Sequence, residues 1–399
     1  MRRALHWFLF SVLLGSAWLS PVWGASYTFT TLDVPNALGI NNAGQIVGST
    51  FDGTRVHGFV LSGGSLTLLD VPGSVSTGAY GINDAGQIVG TFVDASLRNH
   101  GFLFSGGTFT LLDVPDSFAT FATDINTAGE IVGIFDDASR RRHGFVFSGG
   151  SFTPLDIPGS IYTLAFGIND AGQIVGQFAS SSDQGFVISG GSFTPLNVPG
   201  SVSTIARGTN NAGETVGQFT NDLHSQDGHG FVFSRGSFTL LDPPGSLLTA
   251  AHGINDAGQI VGTFEDPNGT FRGFLATPVV DTMPPAITVF ANPTTLWPPN
   301  GKLVPVTVSG TVRDEAGGSG VDANAATAVT DEYGSVQPSG PVTVAADGRY
   351  AFTVYLQASR HGSDKNGRQY SITVSAQDNA GNTWAATTDV IVPHDQGGR

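Results

Sequence analysis

Cysteine is absent from the 399 residues of this chain. The absence excludes disulfides, thiolate catalysis and cysteine-ligated zinc. Charged residues are scarce, at 12%, and acidic residues outnumber basic ones by 32 to 17, which gives a net charge of −15. This balance excludes the basic surface that nucleic-acid binding requires. Few charges, 55 glycines and 40% hydrophobic residues favour many short strands joined by tight turns.

Long hydrophobic runs are also missing, except for one at the N-terminus. It covers residues 4–19, follows Arg2 and Arg3, and ends shortly before the small residues Val22 and Gly24. This pattern predicts a signal peptide over residues 1–24, since the run is too short to span a membrane comfortably. We therefore expect a secreted or cell-surface protein without a transmembrane segment, and a monomer.

A ten-residue segment, represented by residues 81–90, occurs six times in the chain with few changes. The repeats are anchored by Asn41, Asn83, Asn126, Asn169, Asn210 and Asn255. Their spacing is 42, 43, 43, 41 and 45 residues, the length of a four-stranded propeller blade. Each unit reads as four strands, with a tight turn at Asn-x-x-Gly between the first two and another at Gly-Gly between the last two.

The two ends of the repeat array complement each other. Residues 27–35 match the fourth strand of a unit, whereas the last unit stops at Leu275 after its third strand. Pairing these fragments would close a ring and remove two exposed sheet edges. The sequence therefore predicts an all-β fold, with a six-bladed β-propeller over residues 25–280 closed by its N-terminal strand.

A second motif lies in the third strand of most units. It stands as His57-Gly58-Phe59, His100-Gly101-Phe102, His143-Gly144-Phe145 and His229-Gly230-Phe231, while Gln184 and Arg272 replace the histidine elsewhere. With this motif, residues 27–277 resemble the HAF family of bacterial extracellular repeat proteins. The resemblance implies secretion and no particular reaction.

The repeat stops at a proline-containing linker, residues 281–285. Residues 286–393 alternate in strand fashion and have the size of an immunoglobulin-like β-sandwich, followed by a tail at 394–399. The segments 296–302, 378–382 and 392–395 look like bacterial Ig-like modules appended to secreted proteins. Tyr370 is a candidate tyrosine corner.

The repeated histidines are predicted to be structural, because one per unit places them far apart around a ring while zinc ligands must converge. Fourth-strand acids are interpreted in the same way, as groups that order a strand end or turn. They are Asp33, Asp70, Asp113, Asp156 and Asp242, with Asn197 at the remaining position.

Functional residues are expected at the positions where the repeats differ in sequence or in loop length. The loops between second and third strands vary in length, as in a binding face. The residue before each Gly-Ile-Asn segment varies too: Leu38, Tyr80, Thr123, Phe166, Arg207 and His252. Tyr80, Phe166, Arg207 and His252 form our candidate ligand site, since aromatic rings beside polar groups suit a sugar or a peptide. The alternative is packing between neighbouring sheets, because strand alternation would put Tyr80 on the same side as Ile82.

Four acids are candidate metal ligands. Asp222 and Asp227 lie on the longest loop, and Asp314 and Asp378 lie in the C-terminal region. Oxygen-rich loops of this kind suit calcium, although no twelve-residue calcium loop is present. No cofactor is expected apart from such a structural calcium ion.

Catalytic motifs, such as a nucleophile elbow or a phosphate-binding loop, are missing from the sequence. We therefore expect a non-catalytic binding or structural protein of the cell exterior, with a glycan or protein partner. The alternative is an extracellular polysaccharide hydrolase or lyase, which would require acids or histidines that break the repeat pattern and converge on one face.

Overall fold

The computed structural model describes residues 27–222, 228–279, 281–315, 320–335 and 339–394. These residues form strands and loops, with no helix among them. Accordingly, no helix in the described part of the chain is long and apolar enough to cross a membrane. The predicted signal peptide and Asp227 lie outside the described residues.

The repeat array forms six four-stranded antiparallel sheets, one for each repeat. Sheet 1 contains β2 (Asn36–Ile40), β3 (Ile46–Phe51), β4 (Val56–Ser62) and β5 (Ser65–Leu69). Sheet 2 contains β6 (Ser76–Ile82), β7 (Ile88–Val93), β8 (Asn99–Ser105) and β9 (Thr108–Leu112). Sheet 3 contains β10 (Ala119–Ile125), β11 (Ile131–Asp136), β12 (Arg142–Ser148) and β13 (Ser151–Leu155).

The other three sheets repeat this plan. Sheet 4 contains β14 (Tyr162–Ile168), β15 (Ile174–Ala179), β16 (Asp183–Ser189) and β17 (Ser192–Leu196). Sheet 5 contains β18 (Ser203–Thr209), β19 (Thr215–Thr220), β20 (His229–Ser234) and β21 (Ser237–Leu240). Sheet 6 contains β22 (Leu248–Ile254), β23 (Ile260–Glu265), β24 (Phe271–Pro278) and β1 (Tyr27–Leu32). Here β1 pairs antiparallel with β24, which is the pairing that the incomplete ends of the array predict.

The first strand of each sheet is its inner strand, and the six inner strands surround a central channel. Each contacts the inner strands of the two flanking sheets, and β2 contacts β22, so the sheets form a closed cycle. Glycine allows this close approach: a Cβ on Gly81 would lie 2.6 Å from the Cα of Asp124 on the next inner strand.

An asparagine ring, formed by the six anchor residues, closes one end of the channel. Each Asn side-chain nitrogen donates to the backbone carbonyl of the next anchor at 2.8–3.3 Å, and Asn255 donates to Asn41 and completes the circle. The Oδ1 atom of Asn83 also accepts from the backbone nitrogens of Ala85 and Gln87. The invariant asparagine therefore orders its own turn and joins its sheet to the next.

Hydrophobic cores lie between neighbouring sheets. The phenylalanine of the third-strand motif is their main component, and Phe102 and its five counterparts are at most 1% exposed. Phe102 packs with Val47 of the preceding sheet. It lies over the second-strand Gly90, where a Cβ would be 2.8 Å from the ring. Burying such a ring stabilises the fold by roughly 1.5–3 kcal/mol.

The histidine of the same motif joins three segments of its sheet. In sheet 1, the Nδ1 of His57 lies 2.8 Å from Asp70 after the fourth strand, and its Nε2 lies 3.0 Å from Asp52 in the preceding loop. His100 and His143 make the same two contacts. In sheet 4, Gln184 pairs with Asn197 instead, so both members of the pair have changed together.

The C-terminal region forms two further antiparallel sheets. One contains β25 (Ala286–Asn292), β26 (Leu303–Arg313) and β29 (Arg349–Gln357). The other contains β28 (Ser339–Thr343), β27 (Val321–Asp331), β30 (Arg368–Asp378) and β31 (Thr383–Val392). Their inward residues form one core, and the buried Tyr370 donates from its hydroxyl to the carbonyl of Gln357 at 2.9 Å, which links the sheets.

Candidate functional site

A β-bulge interrupts every inner strand at the variable position before the Gly-Ile-Asn segment. In sheet 2, Ala79 pairs with Gly90 and Gly81 pairs with Val89, so Tyr80 has no partner. The same shift leaves out the variable residue in the other five sheets. A bulge redirects the side chain of its extra residue. We call these six the bulge residues: Leu38, Tyr80, Thr123, Phe166, Arg207 and His252.

All six bulge residues line one cavity of about 280 Å³ in the channel. The between-sheet cores contain the preceding alanine, such as Ala79, and not the bulge residue. The interpretation that these side chains pack between neighbouring sheets is therefore wrong, because strand alternation does not continue through a bulge. The candidate ligand residues Tyr80, Phe166, Arg207 and His252 all face this channel cavity.

Arg207 provides the positive charge of the cavity. Its guanidinium lies 5.3 Å from the ring centre of Phe166. Within the described residues, its buried Nε has no hydrogen-bond partner. Burial lowers the pKa of Arg207 to about 10, so the guanidinium is still charged at neutral pH.

Asp124 is a site residue that the sequence reasoning missed. It follows the bulge residue Thr123, where the other five repeats have glycine, and it lines the cavity. Its carboxylate accepts from the backbone nitrogens of Ile125 and Ile168, both at 2.9 Å. Burial raises the pKa of Asp124 to about 7. The signal in the sequence was the single replacement of a repeated glycine by an ionisable residue.

His252 and Tyr80 are uncharged at neutral pH. Burial, and then the charge of Arg207, hold the pKa of His252 well below its usual value. Burial likewise raises the pKa of Tyr80. The cavity thus combines one fixed cation, one carboxyl group that is partly ionised at neutral pH, aromatic rings and neutral polar groups. This arrangement can hold a small polar ligand by stacking, hydrogen bonds and one ion pair.

A smaller cavity of about 80 Å³ lies on the asparagine-ring side. It shares Ile40, Ile82, Asp124, Thr209 and Ile254 with the channel cavity, so these residues separate the two ends of the channel. Its polar rim carries Asp84, Asp170 and Asp256, which alternate around the ring with Asn42, Thr127 and Asn211. Side chains already bridge most of this rim, as Asn211 donates to both Asp170 and Asp256.

The candidate metal ligand Asp314 lies in a group of carboxylates that does not include Asp378. Asp314 lies with Asp281 and Glu315, and one ligand oxygen from each falls within 4.8 Å of the others. Asp378 instead caps its own turn, where its carboxylate accepts from the backbone and side-chain nitrogens of Asn382 at 2.8 Å. Asp222 accepts through its backbone carbonyl from Thr220. The group around Asp314 has the oxygen donors that suit calcium.

The variable loops are more alike than their lengths indicate. Asp94, Asp137 and Asp266 each accept from two backbone nitrogens of their own loop, two and four residues later. A shared aspartate thus orders loops that the sequence shows only as different in length. The six bulge residues, by contrast, are six different residue types.

No family model and no curated protein matches the chain. Solved structures similar to it include a putative TolB from Agrobacterium tumefaciens, with 13% identity, a TM-score of 0.42, and coverage of 63% of this chain and 91% of that one. TolB from Acinetobacter baumannii has 13% identity, a TM-score of 0.37 and coverage of 77% and 79%. YCF48 bound to D1 peptide has 12% identity, a TM-score of 0.34 and coverage of 65% and 99%. At these TM-scores the likenesses carry no functional argument.

Proposed function

We propose that this chain is an exported, non-catalytic binding protein of the cell exterior. In this proposal the six repeat sheets are the blades of a β-propeller, and the C-terminal sheets form an immunoglobulin-like sandwich. The partner is an extracellular glycan or protein, part of which enters the channel cavity. The resemblance to HAF repeat proteins and the signal-peptide pattern support export.

The observation that carries the proposal is the division between invariant and variable residues. Invariant positions are occupied by fold contacts: the asparagine ring, the buried phenylalanines and the histidine–aspartate pairs. The variable bulge residues line one cavity and include a buried guanidinium nitrogen with no partner among the described residues. Residues that satisfy a ligand, rather than one another, are expected at a binding site.

The size of the cavity limits what can enter it. Pockets for small molecules hold about 300–1,000 Å³, and this cavity has about 280 Å³. It accommodates a single sugar ring or a single terminal amino acid. A larger partner would insert one unit and lie across the loop face around it.

A hydrolase or lyase is the second candidate, and Asp124 is the observation that favours it. A carboxyl group with a pKa near 7 is suited to proton transfer at neutral pH. Neutral His252 faces the same cavity, and both residues break the repeat pattern. These are the converging non-equivalent groups that an enzyme on this scaffold requires.

Retention and cleavage on an array of bacterial and plant polysaccharides distinguish the two candidates. We expect selective retention without new reducing ends or unsaturated products, both with and without calcium. The double variant Arg207→Ala/His252→Ala should lose at least about tenfold in affinity, as the loss of a charged hydrogen bond predicts. Arg235→Ala, on the outer turn of sheet 5, is the control and should bind normally.

Two results would contradict the proposal, and a third would narrow its partner to a protein. Cleavage that disappears in Asp124→Asn would establish the enzyme instead. Unchanged binding by the folded double variant would exclude the channel cavity as the site. Retention of no polysaccharide, together with capture of a defined peptide, would replace the glycan by a protein partner.

A further inference from the structure

We infer that the channel cavity recognises the carboxylate of an acidic sugar unit, with Arg207 as the anchor and aromatic rings against the sugar. This inference rests on the proposed function and adds the chemical class of the ligand. The main observation is that the buried Nε of Arg207 has no acceptor among the described residues.

The other arginines of the repeat array that the structure describes are exposed, and several have polar partners. Arg55 forms an ion pair with Asp70 at 3.0 Å, and Arg272 forms one with Asp266 at 2.8 Å. Arg98 and Arg141 donate to backbone carbonyl oxygens of the following repeat. Arg207 has the Phe166 ring beside it, but its Nε has no acceptor within the described residues.

A buried guanidinium nitrogen without an acceptor weakens a fold, because it loses the hydrogen bond that it makes to water. In Arg207 this nitrogen is Nε, and a ligand anion in the cavity can supply the missing acceptor. The planar guanidinium fork matches a carboxylate with two parallel hydrogen bonds. The geometry of Arg207 therefore indicates an anion, and a carboxylate in particular.

Aromatic rings supply the second part of the site. Phe166 lies beside the guanidinium, and Tyr80 and Phe121 line the same cavity. The apolar C–H face of a sugar ring packs on such rings, while Tyr80 and His252 offer polar atoms beside its hydroxyls. The cavity of about 280 Å³ matches one sugar ring.

Asp124 does not exclude an acidic ligand. Both of its oxygens accept backbone hydrogen bonds, and burial raises its pKa to about 7, so its charge is partly neutralised at neutral pH. Its remaining lone pairs can accept from a sugar hydroxyl.

A peptide C-terminus is the competing carboxylate, and the inner strands argue against it. Peptides commonly bind by adding a strand to a free sheet edge. Here the inner strands approach backbone to backbone: a Cβ on Gly167 would lie 2.7 Å from the carbonyl oxygen of Arg207, and one on Gly208 2.5 Å from that of His252. An extended peptide finds no open edge along these strands.

Calorimetric titration with small probes tests the inference. The probes are D-galacturonate and D-glucuronate, the neutral sugars galactose and glucose, and N-acetyl-Ala-Ala with a free carboxylate. We expect the uronates to bind at least about tenfold more tightly than the neutral sugars and the peptide, since one charge-assisted pair is worth roughly 1.5–3 kcal/mol. Arg207→Met should abolish that preference, and Arg235→Met should preserve it.

The outcomes distinguish a failure of the acidic-sugar inference from a failure of glycan binding in the cavity. If neutral and acidic sugars bind equally, and Phe166→Ala weakens both, the binding function stands and the acidic class is wrong. If the peptide binds best, the ligand is a protein terminus. If no probe binds to protein that thermal denaturation shows to be folded, both the acidic-sugar site and glycan binding in this cavity are rejected.

Discussion

The two ends of the channel are formed by the same six strands, but one end carries identical side chains and the other carries different ones. At one end, six identical asparagines donate to one another's turns in a closed circle. At the other, six different residues line a cavity, and one of them carries an unsatisfied donor. Invariance in this repeat therefore marks polar groups that stabilise the ring, and variation marks groups available to a ligand.

The largest expected contrast is between two phenylalanines of sheet 4. Phe186 is fully buried between sheets, so Phe186→Ala should lower the free energy of unfolding by about 3–5 kcal/mol. Phe166 lies on the cavity, and Phe166→Ala should cost less than about 1 kcal/mol, because it removes little core packing. Urea unfolding measures both. Equal losses would mean that the cavity is an ordinary part of the core.

Asn83→Ala tests the asparagine ring. The change leaves the buried carbonyl of Asn126, and the backbone nitrogens of Ala85 and Gln87 in a partly buried turn, without their partner. We expect a loss of roughly 2–4 kcal/mol in urea unfolding. The exposed Asn268→Ala is the control and should change stability by less than about 0.5 kcal/mol. A loss no larger than that of the control would show that the ring contributes little.

The histidine–aspartate contacts predict a dependence of stability on pH. Hydrogen bonds to Asp52, and then to Asp70, raise the pKa of His57 above its usual 6.5. The stabilisation is therefore present below about pH 6.5 and is lost as the pH rises through the raised folded-state pKa. Thermal unfolding should show a smaller alkaline fall in Tm for His57→Gln than for the unchanged protein.

The natural pair Gln184–Asn197 supplies a matched control for this prediction. The double variant His57→Gln/Asp70→Asn copies that pair into sheet 1 and should recover part of the stability that His57→Gln loses at low pH. Identical pH profiles for all three proteins would exclude a role for the charge of His57.

The smallest expected effect on stability, with the opposite sign, belongs to Arg207→Met. Methionine keeps the length and apolar stem of the side chain but removes the charge and the buried Nε that has no acceptor among the described residues. We expect the free energy of unfolding to stay the same or to rise by up to about 1 kcal/mol in urea titrations. A clear loss would mean that Arg207 has a structural partner.

The sequence alone indicated the repeat sheets because the turn residues asparagine and glycine recur at nearly regular intervals along the chain. It also placed Tyr80, Phe166, Arg207 and His252 beside one another. Strand β27 has only a weak signal in the sequence, since its alanine-rich segment has low strand propensity and is ordered by pairing with β28 and β30.

The bulge was missed for a different reason. Alternation was extended through the glycine that follows the variable residue in five of the six inner strands, although such a glycine often marks a bulge. The contact between His57 and Asp70 also had a signal, namely the joint change to Gln184 and Asn197 in one repeat. The loss of solvation that shifts the pKa of Asp124 depends on three-dimensional packing, which no local pattern in the sequence expresses.

The most direct test of the claim that the variable end of the channel serves a ligand combines stability and binding in one variant. Galacturonate is titrated into the unchanged protein and into Arg207→Met, and the unfolding free energy of both is measured in the same buffer. We predict that Arg207→Met is at least as stable and loses at least about tenfold in affinity. A variant that is destabilised by more than about 1 kcal/mol and binds galacturonate as before would show that Arg207 supports the fold.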